Sequence, residues 1–341
     1  MKVAIVSGAS KGKDAVRGIG VHNSELFKAL RAGSNKDINL PDVNLDDNLS
    51  KFDVVHFTSF RPFSRSLPLT KPKNTKFVLT IHDLIPLIYP KVYKPGIRGT
   101  INYLINKLLI KRYIDAIITI SGTSKKDIIR FLRVDPKKVH VIYLAPKAIF
   151  RNLPAGEAGK KVIEIQPKGY KKYNLPKRYA LYTGDVNYNK NIPNLVKACE
   201  IADIPLVIAG KQAIEIEQMD LTHPELSHLA DVNIKNVIRL GFVSDEDLCD
   251  LYNLATVYIQ PSLYEGFGLI VLEAVACRTP LVVTKTQTLV EILGKDLDYV
   301  DPNDPNDMAR GILNPNRNVK LPRVYTWEKT AKETLEVYAK A

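Results

Sequence analysis

Residues 256–285 read TVYIQPSLYEGFGLIVLEAVACRTPLVVTK. The stretch opens with a β-branched run (256–262), passes through the turn Gly266-Phe267-Gly268 into the apolar segment LIVLEAVA, and closes with a second β-branched run (280–285). Strand, turn, helix and strand in that order make a βαβ unit. Runs that are apolar along their whole length belong to strands covered on both faces, as in a parallel sheet. One residue breaks the pattern: Glu273 sits inside LIVLEAVA among apolar neighbours. A charge buried without a partner is costly enough that something must compensate it. A second carboxylate, Glu265, stands just ahead of the turn, with seven residues between the two. Either each glutamate meets a nearby Lys or Arg, or the compensating partner is a ligand. For two carboxylates flanking one glycine turn, the ligand is the stronger reading.

The same unit recurs along the chain. In the first half the strand-like runs are KVAIVSG (2–8), FDVVHFT (52–58), KFVLTIH (76–82), DAIITIS (115–121) and KVHVIYLA (138–145). In the second they are YALYTGDV (179–186), PLVIAG (205–210), NVIRLGFV (236–243) and the two runs already quoted. Amphipathic helical patterns alternate with them, so the expected fold class is α/β, with two Rossmann-like doubly wound parallel sheets. Between the two series, residues 151–176 are rich in Pro, Gly and Lys and read as a linker. The expected domains are therefore 1–170 and 171–324. Ligands of such sheets bind outside the carboxyl ends of the strands. A nicotinamide-dinucleotide enzyme shares this outline, but its Gly-x-Gly-x-x-Gly fingerprint should follow the first strand directly. Here that strand runs into GASKGKDAV, and the later Gly18-Ile19-Gly20 is followed by Val21, His22 and Asn23.

With 341 residues the chain has room for two domains, and its 45% hydrophobic content is that of a globular protein. No apolar run approaches the ~20 residues that span a bilayer, and MKVAIVSG lacks the long apolar core of a signal peptide. The three cysteines, Cys199, Cys249 and Cys277, have neither metal-type nor paired spacing, and read as reduced thiols in a cytoplasmic protein. Charge is uneven: residues 1–170 carry +17 and residues 171–341 carry −4, within an overall +13. The basic half suits anionic lipid, nucleic acid or a phosphorylated substrate, or is simply a solvated surface. Residues 97–113, IRGTINYLINKLLIKRY, place Ile97, Ile101, Leu104 and Leu108 on one helical face with Lys107, Lys111 and Arg112 elsewhere. The ordinary reading is a core-packed helix with a basic rim; the other is a helix resting on anionic lipid.

The Gly266-Phe267-Gly268 turn allows close backbone approach, and the helix it opens offers free N–H groups and the positive end of its dipole, a site for phosphate or diphosphate. Glu273 lies about one turn into that helix, where a carboxylate suits paired hydroxyls such as those of ribose. Glu265, at a strand end, suits a sugar hydroxyl.

At these residues the sequence resembles the family-4 glycosyltransferases, retaining enzymes of the GT-B fold whose two Rossmann-like domains face across a cleft. PSLYEGFGLIVLEAVACRTPLVVT carries the family's Glu, seven residues, Glu motif and its continuation. RGIGVHNSELFKAL (17–30), TIHDLIPLIYP (80–90), ITISGTSKKDIIRFLRVDPKKVHVI (118–142), YTGDVNYNKNIPNLVKA (182–198) and GFVSDEDLCDLYNLATVYIQPS (241–262) follow in the family's order. The ending YTWEKTAKETLEVY is similar to the family's last helix, which implies that 325–341 return to the first domain. The resemblance implies that Glu273 binds the donor ribose, Glu265 the transferred sugar, and the backbone of Gly266, Phe267, Gly268 and Leu269 the diphosphate. Lys190 falls at the lysine that neutralises the leaving nucleoside diphosphate. Gly241, Phe242 and Val243 fall where the backbone meets the base, and Gly184 and Gly210 join the donor-binding set. Gly18 and Gly20 belong to the first-domain loop facing the diphosphate and acceptor, and His82 matches a histidine near the anomeric carbon. His56 reads as structural, and His22, beside the glycine loop, stays open. Two departures stand out: Asp185, Asn187 and Asn189 occupy places where many relatives carry an arginine, and Arg278 replaces a usual glycine.

The implied activity is transfer of a hexose, with a lean towards GDP-mannose over a UDP-hexose, to a glycan or lipid-linked acceptor, with retention and without metal or cofactor. The implied partners are the nucleotide sugar and the acceptor, with peripheral contact of the basic half at the inner face of the membrane, and no nucleic acid. The competing readings are a nucleotide-sugar-binding subunit that has lost turnover and a GT-B sugar-nucleotide epimerase. The epimerase would need acidic catalytic residues in the first domain, and none is evident there.

Overall fold

The computed structural model describes residues 1–6, 18–33, 43–153, 173, 175–233 and 236–341. The described residues form ten strands: β1 (Val3–Val6), β2 (Val54–Phe57), β3 (Lys76–Thr80), β4 (Ala116–Thr119), β5 (Val139–Val141), β6 (Ala180–Thr183), β7 (Leu206–Ala209), β8 (Ile238–Gly241), β9 (Val257–Gln260) and β10 (Leu281–Val283). Each lies inside one of the ten runs read as strands, trimmed at both ends except β3, which keeps the start of its run. Their helices are α1 (Gly18–Gly33), α2 (Ile85–Ile88), α3 (Gly96–Tyr113), α4 (Gly122–Leu132), α5 (Ile192–Ile201), α6 (Lys211–Glu215), α7 (Asp245–Leu254), α8 (Leu269–Ala276), α9 (Gln287–Leu293), α10 (Pro305–Leu313) and α11 (Trp327–Lys340). The chain divides into two compact units, Met1–Ala145 with Val324–Ala341, and Pro146–Arg323. The boundary expected at 170/171, and most of the expected linker, lie outside the described residues.

In the first unit the sheet runs β1-β2-β3-β4-β5, every pair parallel. On the outer edge of β1 the Val43 amide donates to the Ile5 carbonyl at 2.8 Å. The β-branched and aromatic residues of β1 to β4 are buried on both faces, as their continuous apolar pattern requires. Val55, Phe57, Phe77, Leu79 and Ile117 pack with Ile128 and Leu132 of α4 into one core. Helix α4 starts where Ser121 Oγ accepts from the Ser124 amide at 3.0 Å, a capping bond that satisfies an otherwise orphaned donor. Helix α11 belongs to this unit. Thr326 caps it, the Thr330 hydroxyl donates to the Tyr143 carbonyl at 2.7 Å, and the Tyr338 hydroxyl bonds His56 Nδ1 at 2.7 Å.

Helix α3 corrects the ordinary reading of 97–113. Its buried residues are Gly99, Asn106, Leu109 and Ile110, whereas Ile97, Ile101, Leu104 and Leu108 are 85%, 51%, 59% and 63% exposed. The aliphatic face points away from the core.

In the second unit the order is β10-β9-β6-β7-β8, again all parallel. From β6 the chain winds outward through β7 to β8, then returns to β6's other side as β9 and ends at β10. The winding therefore reverses between β6 and β9. Tyr182, Leu195, Ile208, Val257, Ile259, Val282 and Met308 form its core. Ser244, Thr286 and Asp304 cap α7, α9 and α10.

Candidate active site

Where the winding of a parallel sheet reverses, the loops leaving the two flanking strands part and open a crevice at the carboxyl ends. In the second unit those are the loops after β6 and after β9, and they carry Lys190 and Glu265. The structure brings the two together: Lys190 Nζ donates to Glu265 Oε1 at 2.7 Å. Gln260 Nε2 and Ser262 Oγ donate to that same oxygen at 2.7 and 2.6 Å. Gln260 is itself fixed by the Tyr258 hydroxyl, which donates to its Oε1 at 2.6 Å. The Glu265 carbonyl accepts from Thr288 Oγ1 at 2.7 Å. Three donors thus converge on Oε1, and among the described residues no hydrogen bond reaches Oε2.

Glu273 lies on α8 and is as buried as Glu265, each 7% exposed. Its one hydrogen-bond partner among the described residues is the Tyr252 hydroxyl, 3.3 Å from Oε2, which also bonds Thr183 Oγ1 at 3.0 Å. Burial pushes the Glu273 pKa up to about 8, against the opposing pull of the Tyr252 bond and of Lys147. Lys147 is held by Asp245 at 2.6 Å. The ion-pair reading therefore describes Glu265 and fails for Glu273, which no Lys or Arg among the described residues pairs with directly.

The turn between them has the expected form. Gly268 takes φ +100, a backbone that a side chain rarely adopts, and no side chain caps the N-terminus of α8 that follows. Phe267 is buried, while Gly268 and Leu269 are half-exposed. Gly184, Gly210 and Gly241 close the neighbouring strands β6, β7 and β8 at their carboxyl ends, with Gly210 and Gly241 bridged. A Cβ on Gly210 would stand 2.1 Å from the Gly184 carbonyl oxygen, so only glycine fits. Beyond Gly241, Phe242 is 64% exposed and Val243 half-buried.

The first-unit candidates are placed as follows. Gly18 opens α1 at an exposed position and Gly20 is buried. His82 follows β3, and its Nε2 bonds His22 Nδ1 at 2.7 Å. Burial lowers the His82 pKa to about 4, and burial, with His82 and His56 beside it, holds His22 well below the usual imidazole range. Both rings are therefore neutral near pH 7, one donating to the other. His22 also stacks on the indole of Trp327 from α11, centroids 6.0 Å apart. His56 has both ring nitrogens occupied, by Tyr338 and by Thr80 Oγ1, each at 2.7 Å.

A family model described as Glycosyl transferases group 1 matches residues 166–325, and one described as Glycosyltransferase Family 4 matches residues 2–145. The chain belongs to the group 1, family-4 glycosyltransferases. Serotype-specific mannosyltransferase WbdA of Escherichia coli is 29% identical over 270 residues, 76% of this chain and 32% of WbdA, so the chain spans about a third of that relative. O-antigen chain mannosyltransferase B of Escherichia coli is 29% identical over 283 residues, covering 76% of this chain and 69% of its own. Among solved structures, sucrose-phosphate synthase from Thermosynechococcus elongatus superposes with a TM-score of 0.64 at 17% identity, over 100% of this chain and 98% of its own. HepE of Anabaena in complex with UDP-glucose gives 0.62 at 15%, over 92% and 89%. Likeness at that identity establishes the fold, GT-B.

In this family member the departures from the family pattern acquire structural parts. Asn189 Nδ2 donates to the Tyr264 carbonyl at 3.1 Å, and the Asn189 carbonyl accepts from the Leu263 amide at 2.8 Å. Asn191, left-handed at φ 58, donates to the Pro261 and Pro302 carbonyls at 2.9 and 2.7 Å. These asparagines tie the loop after β6 to the loop after β9, which keeps Lys190 against Glu265. Asp185 carries no cation to the site; its carbonyl accepts from the Tyr182 hydroxyl at 2.7 Å. Arg278 takes the left-handed backbone, φ 56, that its usual glycine would adopt more easily.

Sequence reasoning missed Gln260, Ser262, Tyr252, Thr183 and Asn191. A signal existed for Gln260 and Ser262, polar residues at the carboxyl end of an otherwise apolar strand. Tyr252 carried none, because its carboxylate partner lies on a different helix.

Proposed function

We propose that this chain transfers a hexose, with mannose favoured, from a nucleoside-diphosphate sugar to a glycan or lipid-linked acceptor, with retention and without a metal. The observation that carries the reading is the concentration of three donors on Glu265 Oε1, which leaves Oε2 directed to hydroxyls that a sugar would bring. Lys190, fixed on the same oxygen, is a cation at the edge of the α8 anion turn, suited to the charge that grows on a departing diphosphate. Glu273 takes the ribose hydroxyls, and the glycine ends of β6, β7 and β8 let the nucleotide approach the backbone. His82, neutral and bonded to His22, offers the first unit a hydrogen-bonding group rather than a cation. The acceptor enters on the face the nucleotide leaves, and the diphosphate takes its proton. The mannosyltransferase names of the two relatives support mannose, and so GDP-mannose as donor. A lipid-linked acceptor would place the work at an anionic membrane surface, at the basic half of the chain.

The test is a thermal-shift panel of GDP-mannose, UDP-hexoses and free nucleotides, followed by mass-spectrometric detection of transfer and donor hydrolysis. The right donor raises the melting temperature by mass action, and Lys190→Ala and Glu273→Ala both lower turnover. Unchanged rates in both variants would sink the site assignment. A second reading, a donor-binding subunit without turnover, draws on the missing arginine at Asp185, Asn187 and Asn189. Stabilisation by a donor with no hydrolysis or transfer would select it.

A further inference from the structure

Helix α3 is amphipathic with its polarity reversed. Its inward side chains include two asparagines: Asn102 Nδ2 donates to the Phe63 carbonyl at 3.1 Å, and Asn106 Nδ2 to the carbonyls of Pro62 and Ser64 at 3.1 and 2.7 Å. Gly99 lets the helix sit close on Phe63, whose Cβ would be 3.3 Å from an added methyl group. These polar contacts, with Leu109 and Ile110, anchor the helix. Outward stand Ile97, Ile101, Leu104, Ile105 and Leu108, between 40% and 85% exposed. Their spacing puts them on one stripe, about 16 Å long at 1.5 Å per residue. The other large apolar residues in contact with solvent stand singly along the chain, which is ordinary for a protein surface.

Charge says what covers the stripe. From Leu84 to Ile114 the chain has six cations, Lys91, Lys94, Arg98, Lys107, Lys111 and Arg112, and no Asp or Glu. All but Lys107 are exposed, and Lys107 Nζ lies 5.7 Å from the Tyr103 ring centroid. A second copy of this chain laid on the stripe would bring two such cation sets together, whereas anionic headgroups would neutralise them. No helix among the described residues is long and apolar enough to cross a membrane, so the fit is to a surface.

We propose that α3 lies flat on an anionic lipid surface, its aliphatic stripe in the headgroup–acyl boundary and its Lys and Arg residues against the lipid phosphates. The proposal deepens the membrane part of the function proposed above and uses nothing of the donor site.

The test is sedimentation of the full chain with vesicles of phosphatidylcholine alone and of phosphatidylcholine with phosphatidylglycerol, at low and high salt. The protein is expected to pellet with the anionic vesicles at low salt and to release as salt rises. Leu104→Ser with Leu108→Ser weakens binding by roughly tenfold per leucine. Lys111→Gln and Arg112→Gln each weaken it about fivefold, on anionic vesicles only. These side chains point outward, so unchanged melting temperatures and donor hydrolysis confirm the fold. Absence of binding at low salt, or binding indifferent to the leucine pair, overturns the proposal. Light scattering that shows self-association abolished by the leucine pair, without vesicle binding, assigns the stripe to a second copy and equally overturns it. Vesicle binding without donor hydrolysis would leave the docking surface standing and the donor reading fallen; hydrolysis without vesicle binding would do the reverse.

Discussion

Glu265 and Glu273 are the same residue type at the same 7% exposure, in one strand–turn–helix segment, yet the fold treats them differently. Glu265 receives Lys190, Gln260 and Ser262 on one oxygen. Glu273 receives a single phenol at 3.3 Å, and burial lifts its pKa to about 8. Exposure does not separate them; the supply of donors does. Among the described residues the first carboxylate is compensated and the second meets only the Tyr252 hydroxyl, which is how a rigid holder and a ligand-dependent clamp would differ.

The largest expected effect comes from removing the compensated charge. Glu265→Gln deprives Lys190 of its anion in a site with little water. Stability is expected to fall by about 2 kcal/mol in urea melts, the range for a hydrogen-bonded, mostly buried pair. Transfer is expected to fall by roughly 10²–10³-fold, as when one preorganised electrostatic group is lost. A variant that kept its full rate would show that the Glu265 charge is not used on the sugar.

Glu273 should respond in the opposite sense. Its carboxyl titrates near 4.5 when free and near 8 in place. Between those values the unfolded chain holds fewer protons than the folded one, so this group's contribution makes stability fall as pH rises through that window. Below 4.5 there is no penalty, and above 8 it is complete. Glu273→Gln removes the penalty. Melting temperatures of variant and parent are expected to coincide near pH 4 and to separate by pH 8, with the variant higher, while donor affinity drops. In the parent, a donor whose hydroxyls need the ionised carboxylate should bind more tightly as pH rises through about 8. Coincident melting curves across the window would remove the contrast between the two glutamates.

Most of the ten strands could be read because β-branched runs buried on both faces leave an apolar signature, with the half-buried β5 and β8 following the same spacing, and Glu273 because a charge inside an apolar run is an anomaly. The supports of the two glutamates were harder. Tyr252 reaches Glu273 from another helix, and nothing in the local pattern of LYNLA says where its hydroxyl ends. Asn189 read only as a departure from a family pattern and Asn191 gave no signal, while in space both are struts between two loops. In α3 the helical period revealed the stripe but not its direction. Periodicity finds a face, and only the carbonyls of residues 62–64, waiting for Asn102 and Asn106, decide which face turns inward.

A smaller effect is expected one bond away from Glu265. Gln260→Leu removes one of three donors and strands the buried Tyr258 hydroxyl without its acceptor, at a cost of about 1–2 kcal/mol. With Lys190 and Ser262 still in place the carboxylate keeps two of its three donors but loses part of its alignment. Steady-state kinetics should therefore show kcat down roughly tenfold with KM little changed. A rise in KM alone would mean that Gln260 meets the donor directly.

The smallest effect lies at the far end of α8, and it separates the backbone from the chemistry. The helix closes with the Thr279 amide donating to the Ala274 carbonyl and the Arg278 amide to the Val275 carbonyl, both at 3.0 Å. That pair of bonds is a Schellman closure, which puts Arg278 at the position where glycine relieves the left-handed backbone. Arg278→Gly at φ 56 is expected to stabilise the protein by about 1 kcal/mol, read as a higher urea midpoint at an unchanged slope. Glu273 is one turn upstream on that helix, so a shift of the helix end would reach the clamp. An unchanged donor affinity would show that the left-handed arginine affects stability alone, whereas a changed one would show that the end of α8 helps to set where Glu273 stands.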